Sequence, residues 1–380
     1  MPTSYSTGWK SNKASAKALE EFQAGLAKDM GLEILRTSSK PTRTVIPTGS
    51  LALDAATQIG GYPTSQIVEI WGPSDAGKTT TAMLAVANAQ RVFPDQVAGW
   101  IDMEQTFDAV WAETLGVDLK RLVLVPNPHT AEDVSDITKR MVHRGIFSLV
   151  VVDSVGAMIT RSEYEKESDE ATVAAVARVV TRLVKQCSAM CKANGTTLMI
   201  INQVRANIGT YGGTITRTGG FALTHVTAMR LNLRAGREKL TIKVDGIDIP
   251  VGHEIVAKVE KNKLAPAGYV ANFFLINQAT EKYGPVGIDK AAEAFKVARD
   301  LDLLGTGGGG RYTVPNGTEE PLKLVGKDAV VAHFRAHPEQ VELIRTAMLA
   351  NKDGLVEQPG GDFAEADYSE EMAAILDGEK

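Results

Sequence analysis

The residues with the most chemistry at a fixed spacing are Gly72-Pro-Ser-Asp-Ala-Gly77-Lys78-Thr79. Two glycines around a four-residue spacer, followed by a lysine and a hydroxyl, fit the pattern G-x-x-x-x-G-K-[ST]. Such a loop turns its backbone N–H groups inward, and the N-terminus of the helix it opens adds a partial positive charge, so an anion is cradled there. Lys78 then reaches the outer phosphates of a nucleoside triphosphate such as ATP, and the Thr79 hydroxyl stands ready for Mg²⁺. Gly72, Pro73, Ser74, Asp75, Ala76, Gly77, Lys78, Thr79 and Thr80 are therefore the candidate nucleotide contacts.

A phosphate-bound metal needs a second oxygen ligand, usually a carboxylate at the end of another buried strand. Ser148-Leu-Val-Val-Val-Asp153-Ser154 supplies one in Asp153, so Thr79 and Asp153 form the candidate metal pair. Hydrolysis also requires a group that orients and polarises the attacking water. No glutamate follows Asp153, so the base must come from another strand, and Glu104 in Ile101-Asp-Met-Glu104 is the candidate. The competing reading of Glu104 is a loop carboxylate facing solvent.

Groups this far apart in the chain need a sheet to gather them. Residues 66–71, 97–102, 121–125, 147–153 and 196–202 are short apolar runs with strand character, and helical stretches at 79–91, 130–143 and 170–193 lie between several of them. That alternation predicts an α/β fold with a largely parallel central sheet covered on both faces. Residues 229–234, 240–244, 254–261 and 269–276 read as strands without intervening helices, hence as hairpins extending the sheet. Beyond 278, a helix at 287–301, a glycine run at 307–310 and helices at 327–336 and 338–350 predict a small α+β module. Residues 13–35 carry a helical period (Leu19, Phe22, Leu26, Met30, Leu32) ahead of a polar, proline-containing stretch, too small a unit to fold alone. The expected organisation is 1–47 as an N-terminal helix and linker that docks on the core or a neighbouring subunit, 48–277 as the nucleotide core, 278–352 as the C-terminal module and 353–380 as an acidic tail.

Composition sets limits on the remaining possibilities. The 380 residues are 44% hydrophobic and 23% charged, with no apolar run near the roughly 20 residues a membrane span needs. Met1 to Lys13 is polar and lacks a signal-peptide core, so a cytoplasmic protein with no membrane partner is expected. Cys187 and Cys191 have no further ligands nearby for zinc and read as small buried hydrophobes. The net charge of −5 argues against a nucleic-acid partner only superficially. Glu357, Asp362, Glu365, Asp367, Glu370, Glu371, Asp377 and Glu379 crowd the final stretch, and the body is closer to neutral.

Further motifs carry a resemblance. Thr48-Gly-Ser-Leu-Ala-Leu-Asp54, Gly60-Gly61, Ile67-Val-Glu-Ile-Trp-Gly-Pro73, Val151-Val-Asp-Ser-Val155, Ile201-Asn-Gln-Val-Arg205, Thr218-Gly-Gly220 and Lys261-Asn-Lys263 stand in the order and spacing of the RecA family, over roughly residues 48–350. The resemblance implies a RecA-type ATPase core and an ATP-dependent recombinase that assembles as a helical filament on single-stranded DNA and pairs it with double-stranded DNA. It implies that Glu104 is the catalytic glutamate and that Gln203 senses the γ-phosphate. Lys261 and Lys263 would reach the ATP of the adjacent protomer, and Asp108 and Trp111 would contact adenine. It also implies two DNA-binding segments. Arg161, Val173, Ala174, Arg178, Thr181 and Lys185 belong to the first, and Arg205, Ile208, Gly209, Arg217, Gly219 and Gly220 to the second. Glycines there allow close approach to phosphates and basic side chains neutralise them.

The chain also departs from the family pattern. Its second loop is short, Phe221 stands where asparagine is common, Thr224-His225 replaces a Lys-Phe pair, and Glu163, Glu165, Glu167, Asp169 and Glu170 make the first loop acidic. Two other functions fit the nucleotide motifs: a hexameric motor of the same fold moving along DNA, and an assembly protein that uses ATP only to bind. The N-terminal helix and the C-terminal module favour the recombinase layout over the motor, and Glu104 counts against an assembly protein without turnover.

Overall fold

The computed structural model describes residues 44–165, 173–206, 215–217, 220–314 and 321–351. The expected N-terminal helix, the acidic tail, and Ile208, Gly209 and Gly219 lie outside these residues. A short pair, β1 (Val45–Ile46) and β2 (Tyr62–Pro63), brackets helix α1 (Leu51–Ala56). The nucleotide motifs follow on β3 (Ile67–Gly72), α2 (Lys78–Val92), β4 (Val97–Asp102), α3 (Ala109–Thr114) and β5 (Leu122–Pro126). Then come α4 (Ala131–Arg144), β6 (Phe147–Asp153), α5 (Arg161–Tyr164), α6 (Val173–Asn194), β7 (Thr197–Ala206), β8 (Ile215–Arg217) and α7 (Gly220–Val226). The antiparallel strands β9 (Met229–Val244), β10 (Ile247–Asn262) and β11 (Val270–Ile276) complete the sheet.

The sheet runs β11-β10-β9-β3-β7-β6-β4-β5, with β8 paired to β7 off that path. From β9 to β5 the neighbours are parallel, and β9, β10 and β11 are antiparallel. Parallel strands are joined by crossover helices that cover both faces, and so the central strands are apolar throughout. All of β3 and all of β6 are buried. One apolar layer packs Val68, Ile70, Trp100 and Leu149 with α2; the other packs Ile67, Ile101, Val150 and Val152 with residues of α4 and α6. Helix α2 is apolar or buried on nearly every side, as a helix inside a layer must be. Helix α4 is held at its start by a capping box, Thr130 with Asp133. Cys187 and Cys191 are buried in the second layer, and burial pushes their thiols up, to about 11 and about 12.

The expected strands at 229–234 and 240–244 are one continuous strand. Ala235-Gly236 interrupts the apolar run, and the sequence pattern breaks there, but a register shift that sets residues 236–238 of β9 against Glu254 alone on β10 absorbs the irregularity. The hairpin closes through Asp245-Gly246, both at positive φ (52° and 83°), as a two-residue hairpin turn requires.

After β11 the chain forms α8 (Lys290–Asp300), a three-stranded sheet of β12 (Gly305–Gly307), β13 (Arg311–Val314) and β14 (Leu322–Val325), and helices α9 (Lys327–Ala336) and α10 (Pro338–Ala350). Its apolar cluster includes Leu51 and Ala55 of α1. Polar anchors join the same two parts. Glu293 on α8 accepts from Ser50 Oγ (2.8 Å) and the Leu51 amide (2.5 Å). Arg345 on α10 donates to Asp54 Oδ2 (2.7 Å) and the Gly60 carbonyl (2.6 Å), while Asp54 Oδ1 takes the Thr48 amide (2.8 Å). Burial pushes the Glu293 carboxyl up to about 7, against the pull of its hydrogen bonds to Ser50 and Leu51. The Thr48–Asp54 motif thus has a structural purpose that its spacing did not disclose.

Candidate nucleotide and DNA site

Strand β3 ends in Gly72, and the loop that follows runs straight into α2. A Cβ at Gly72 would lie 1.9 Å from the Leu233 carbonyl oxygen, so no larger residue fits there. Gly77 caps α2 in the left-handed region (φ 75°), where a Cβ would also meet Ile255 Cδ1 at 2.4 Å. Gly72 is therefore demanded by close packing on the β9 backbone, and Gly77 by its left-handed conformation. Lys78 is buried, and its Nζ donates to the Pro73 carbonyl within the loop. Burial holds its ammonium below the ordinary lysine range, opposed by the carboxylates of Glu104, Asp153 and Asp75.

The Thr79 hydroxyl donates to Asp153 Oδ2 at 2.9 Å. Asp153 Oδ1 is buried and has no hydrogen-bond partner among the described residues, an arrangement native interiors avoid unless something else completes it. Burial pushes the Asp153 carboxyl up to about 7; the Thr79 hydrogen bond opposes this, and the charges of Glu104 and Asp102 add to it. A hydroxyl and a carboxylate oxygen form a hard-oxygen donor set suited to a small divalent cation. Among the described residues no group of three or more His, Cys, Asp or Glu could hold a metal ion. Phosphate and water oxygens would have to complete the shell.

Glu104 does not face open solvent. Its Oε1 accepts from Ser154 Oγ and from Gln203 Nε2, the latter at 2.6 Å. The β4, β6 and β7 ends thus converge: Asp102 pairs with Asp153 across the ladder, and Met103 N bonds the Asp153 carbonyl at 2.6 Å. Asp102 is buried and accepts from the Phe107 amide (3.0 Å), which fixes the turn carrying Glu104. Sequence reasoning missed Ser154 and Asp102; their signal was adjacency to Asp153 and to Glu104's strand end.

Asp108 caps α3, accepting from the Val110 (2.9 Å) and Trp111 (3.0 Å) amides. Trp111 is half-buried, with Nε1 3.4 Å from the Thr80 hydroxyl, so its indole stands beside the first turn of α2. Lys261 and Lys263 make their hydrogen bonds away from Lys78's loop. Lys261 Nζ donates to the carbonyls of Thr224 (2.5 Å) and His225 (3.0 Å), and Lys263 Nζ to that of Val226 (3.1 Å). Both lysines therefore sit on the C-terminal carbonyls of α7, where the helix dipole favours cations. Burial lowers the Lys261 ammonium to about 8, with Lys263 and Arg230 adding to the effect and Glu69 opposing it.

The segment expected to form the first DNA contact has a clear geometric pattern. Ala174, Arg178 and Lys185 are exposed on α6 and Thr181 half-buried, at the i, i+4, i+7 and i+11 spacing of one helix face, opposite the buried Val176, Val180, Leu183 and Val184. Arg161 is partly engaged: its guanidinium meets Asp133 at 3.0 Å, and its amide meets Glu132 at 2.9 Å. Val173 begins α6. In the second segment Arg205 lies on β7 and Arg217 on β8, whose register pairs Val204 with Arg217 and Ala206 with Ile215, and Gly220 opens α7. The chain between Ala206 and Ile215 thus leaves β7 only three residues beyond Gln203.

A phosphate loop between β3 and α2, with the buried carboxylate of Asp153 two strands away on β6, defines an ATPase of the P-loop class. The model of the RecA N-terminal domain matches residues 13–280. The protein named RecA from Thermotoga neapolitana is 35% identical over 358 residues, covering 94% of this chain and 96% of its own. The protein of that name from Thermus thermophilus is 34% identical over 359 residues, covering 93% and 100%, and that from Mycobacteroides abscessus 38% over 282 residues, covering 73% and 79%. The chain belongs to the RecA family. It is thus an ATP-using, DNA-dependent ATPase of the recombinase type, and no described helix is long and apolar enough to cross a membrane.

Proposed function

We propose that this chain polymerises with ATP and Mg²⁺ along single-stranded DNA in the cytoplasm and pairs that strand with homologous double-stranded DNA. The observation that carries the reading is the 2.6 Å hydrogen bond from Gln203 to Glu104. It ties the hydrolytic carboxylate to the strand from which the second DNA segment departs, so a change at the phosphate end is felt at the DNA end. Lys78 neutralises the β- and γ-phosphates, and the loop amides of residues 72–79 orient them. Glu104 holds the attacking water, and Gln203 holds Glu104. Mg²⁺, taken by Thr79 and Asp153, would draw charge from the phosphate oxygens. Trp111 offers an aromatic face for adenine, beside Asp108. Arg178, Lys185 and the backbone around Gly220 belong to the DNA-facing side, with Arg161, Val173, Ala174, Thr181, Arg205, Ile208, Gly209, Arg217 and Gly219. Residues 1–47 serve as the docking element, 48–277 as the ATPase core, 278–352 as the C-terminal module and 353–380 as the acidic tail.

Electron microscopy with single-stranded DNA and a non-hydrolysed ATP analogue tests the assembly. Open helical filaments are expected; closed rings would favour a motor, and the absence of DNA-dependent assembly would overturn the reading.

Lys261 and Lys263 leave their α7 carbonyls and contact the phosphates of the adjacent protomer. Lys261→Ala and Lys263→Ala should each suppress the DNA-stimulated ATPase about tenfold or more, in line with the loss of one transition-state donor. Mixing the double variant with Lys78→Ala protein should restore part of the rate, because some interfaces then join an intact loop to intact lysines. Mixed filaments that form but stay inactive would remove the lysines from the neighbour's site.

A further inference from the structure

Four adjacent strands bring charged and amide side chains together inside the sheet. Glu69 on β3 accepts from Arg230 Nε on β9 at 2.6 Å and from Asn202 Nδ2 on β7 at 3.0 Å. Glu260 on β10 accepts from Trp71 Nε1 on β3 at 2.9 Å and from Asn232 Nδ2 on β9 at 3.3 Å, and its Oε2 lies 3.8 Å from Arg230 Nη1. Glu69, Arg230, Asn202 and Asn232 are buried, so charges here depend on one another for compensation. Lys261 is the next residue after Glu260.

The strand register gives a second, independent observation. On β10, Val259 pairs with Leu231 and Lys261 pairs with Arg230, so Glu260 is the extra residue of a bulge. A bulge re-aims the side chains that follow it, and a one-residue slip would exchange the faces taken by Lys261 and Asn262. Asn262 is itself committed, donating to the Thr57 carbonyl at 2.7 Å.

We propose that Glu260 is a positioning residue for Lys261: anchored by the Trp71 indole and by Arg230, it holds the β10 bulge in the register that presents the lysine to the neighbouring protomer's ATP. This rests on the trans reading of Lys261 given above. The same cluster reaches β7 through Asn202, the residue before Gln203, so both ends of the nucleotide response are fastened to one buried group of charges.

The test compares Glu260→Ala, Glu260→Gln and Lys261→Ala as full-length filaments on single-stranded DNA. Glu260→Ala should lower the ATPase kcat about tenfold, since small misplacements of a reacting group are costly, and shift KM for ATP by no more than about twofold. Glu260→Gln keeps an acceptor for Trp71 and should return kcat to within about threefold of wild type. Mixed with Lys78→Ala protein, Glu260→Ala should regain activity, because its own loop is intact and the partner presents a correctly placed lysine. An unchanged kcat in Glu260→Ala while Lys261→Ala is impaired overturns this proposal alone; an unimpaired Lys261→Ala overturns the trans reading beneath it. A raised KM with normal kcat, or a glutamine variant as damaged as the alanine one, also overturns it. Should Glu260→Ala not fold, Trp71→Phe, which removes the indole donor and keeps the ring, decides instead: a wild-type kcat refutes the anchor.

Discussion

Replacing Lys78 with alanine is expected to abolish DNA-stimulated ATP hydrolysis, lowering kcat/KM by about 10²–10³-fold or more, the range for losing one preorganised donor at a developing charge. Lys78 is buried at the first position of α2, where burial lowers its affinity for a proton and the charges of Glu104, Asp153 and Asp75 raise it. A triphosphate brings several negative charges into this neighbourhood. Without the ammonium the loop would meet them with backbone N–H groups and no side-chain cation of its own, so nucleotide affinity should fall along with the rate. The variant also loses the desolvation cost of its own cation, and the hydrogen bond given up is one to the Pro73 carbonyl. The melting transition should therefore stay close to wild type. Steady-state ATPase assays with fluorescent-nucleotide titration decide the matter. Wild-type turnover would mean that the loop is not the phosphate site.

Glu104→Gln should separate binding from chemistry. The substitution is isosteric, and the new amide oxygen can still accept from Ser154 and Gln203, so the strand ends should keep their arrangement. What disappears is the basicity needed to take a proton from water, a contribution of about 10²–10⁴-fold in rate. Nucleotide affinity should remain within a few-fold. DNA complexes should then last longer, in proportion to the lost turnover. Single-turnover hydrolysis and dissociation from labelled DNA measure both. Loss of nucleotide binding instead would make Glu104 a structural residue.

The parallel half of the sheet was legible in the sequence because its strands are buried on both faces and its motifs end them. Residues 97–102 and 147–153 were read with the bounds they have in the structure. The long hairpin was not legible in full. Ala235-Gly236 breaks the alternation, and only the pairing of Ala235 with Ile255 and of Lys239 with His253 reveals that the ladder continues across it. Within the site, Lys78, Thr79 and Asp153 could be placed by motif and strand end alone. The contact of Gln203 with Glu104 joins residues 99 apart in sequence and depends on β4 and β7 flanking β6. The Glu69–Arg230–Glu260 group left no trace, since an isolated charge in an apolar strand has no spacing rule. Thr48 and Asp54 were noticed only through the resemblance; their partner, Arg345, lies 291 residues beyond Asp54.

That long-range clasp bears on how the chain must be finished before it can work. Asp54 is buried on α1, ahead of the strand that feeds the phosphate loop, and burial drives its carboxyl toward the protonated form while Arg345 holds it charged. A buried carboxylate deprived of its partner costs about 3–5 kcal/mol. The guanidinium that answers it is carried on the last described helix, so Asp54 stays without its countercharge until α10 has been made. Synthesis from the N-terminus thus delivers Asp54 and the phosphate loop first and, 291 residues after Asp54, the cation that neutralises it, and a nascent chain would carry a P-loop long before the helix ahead of it was settled.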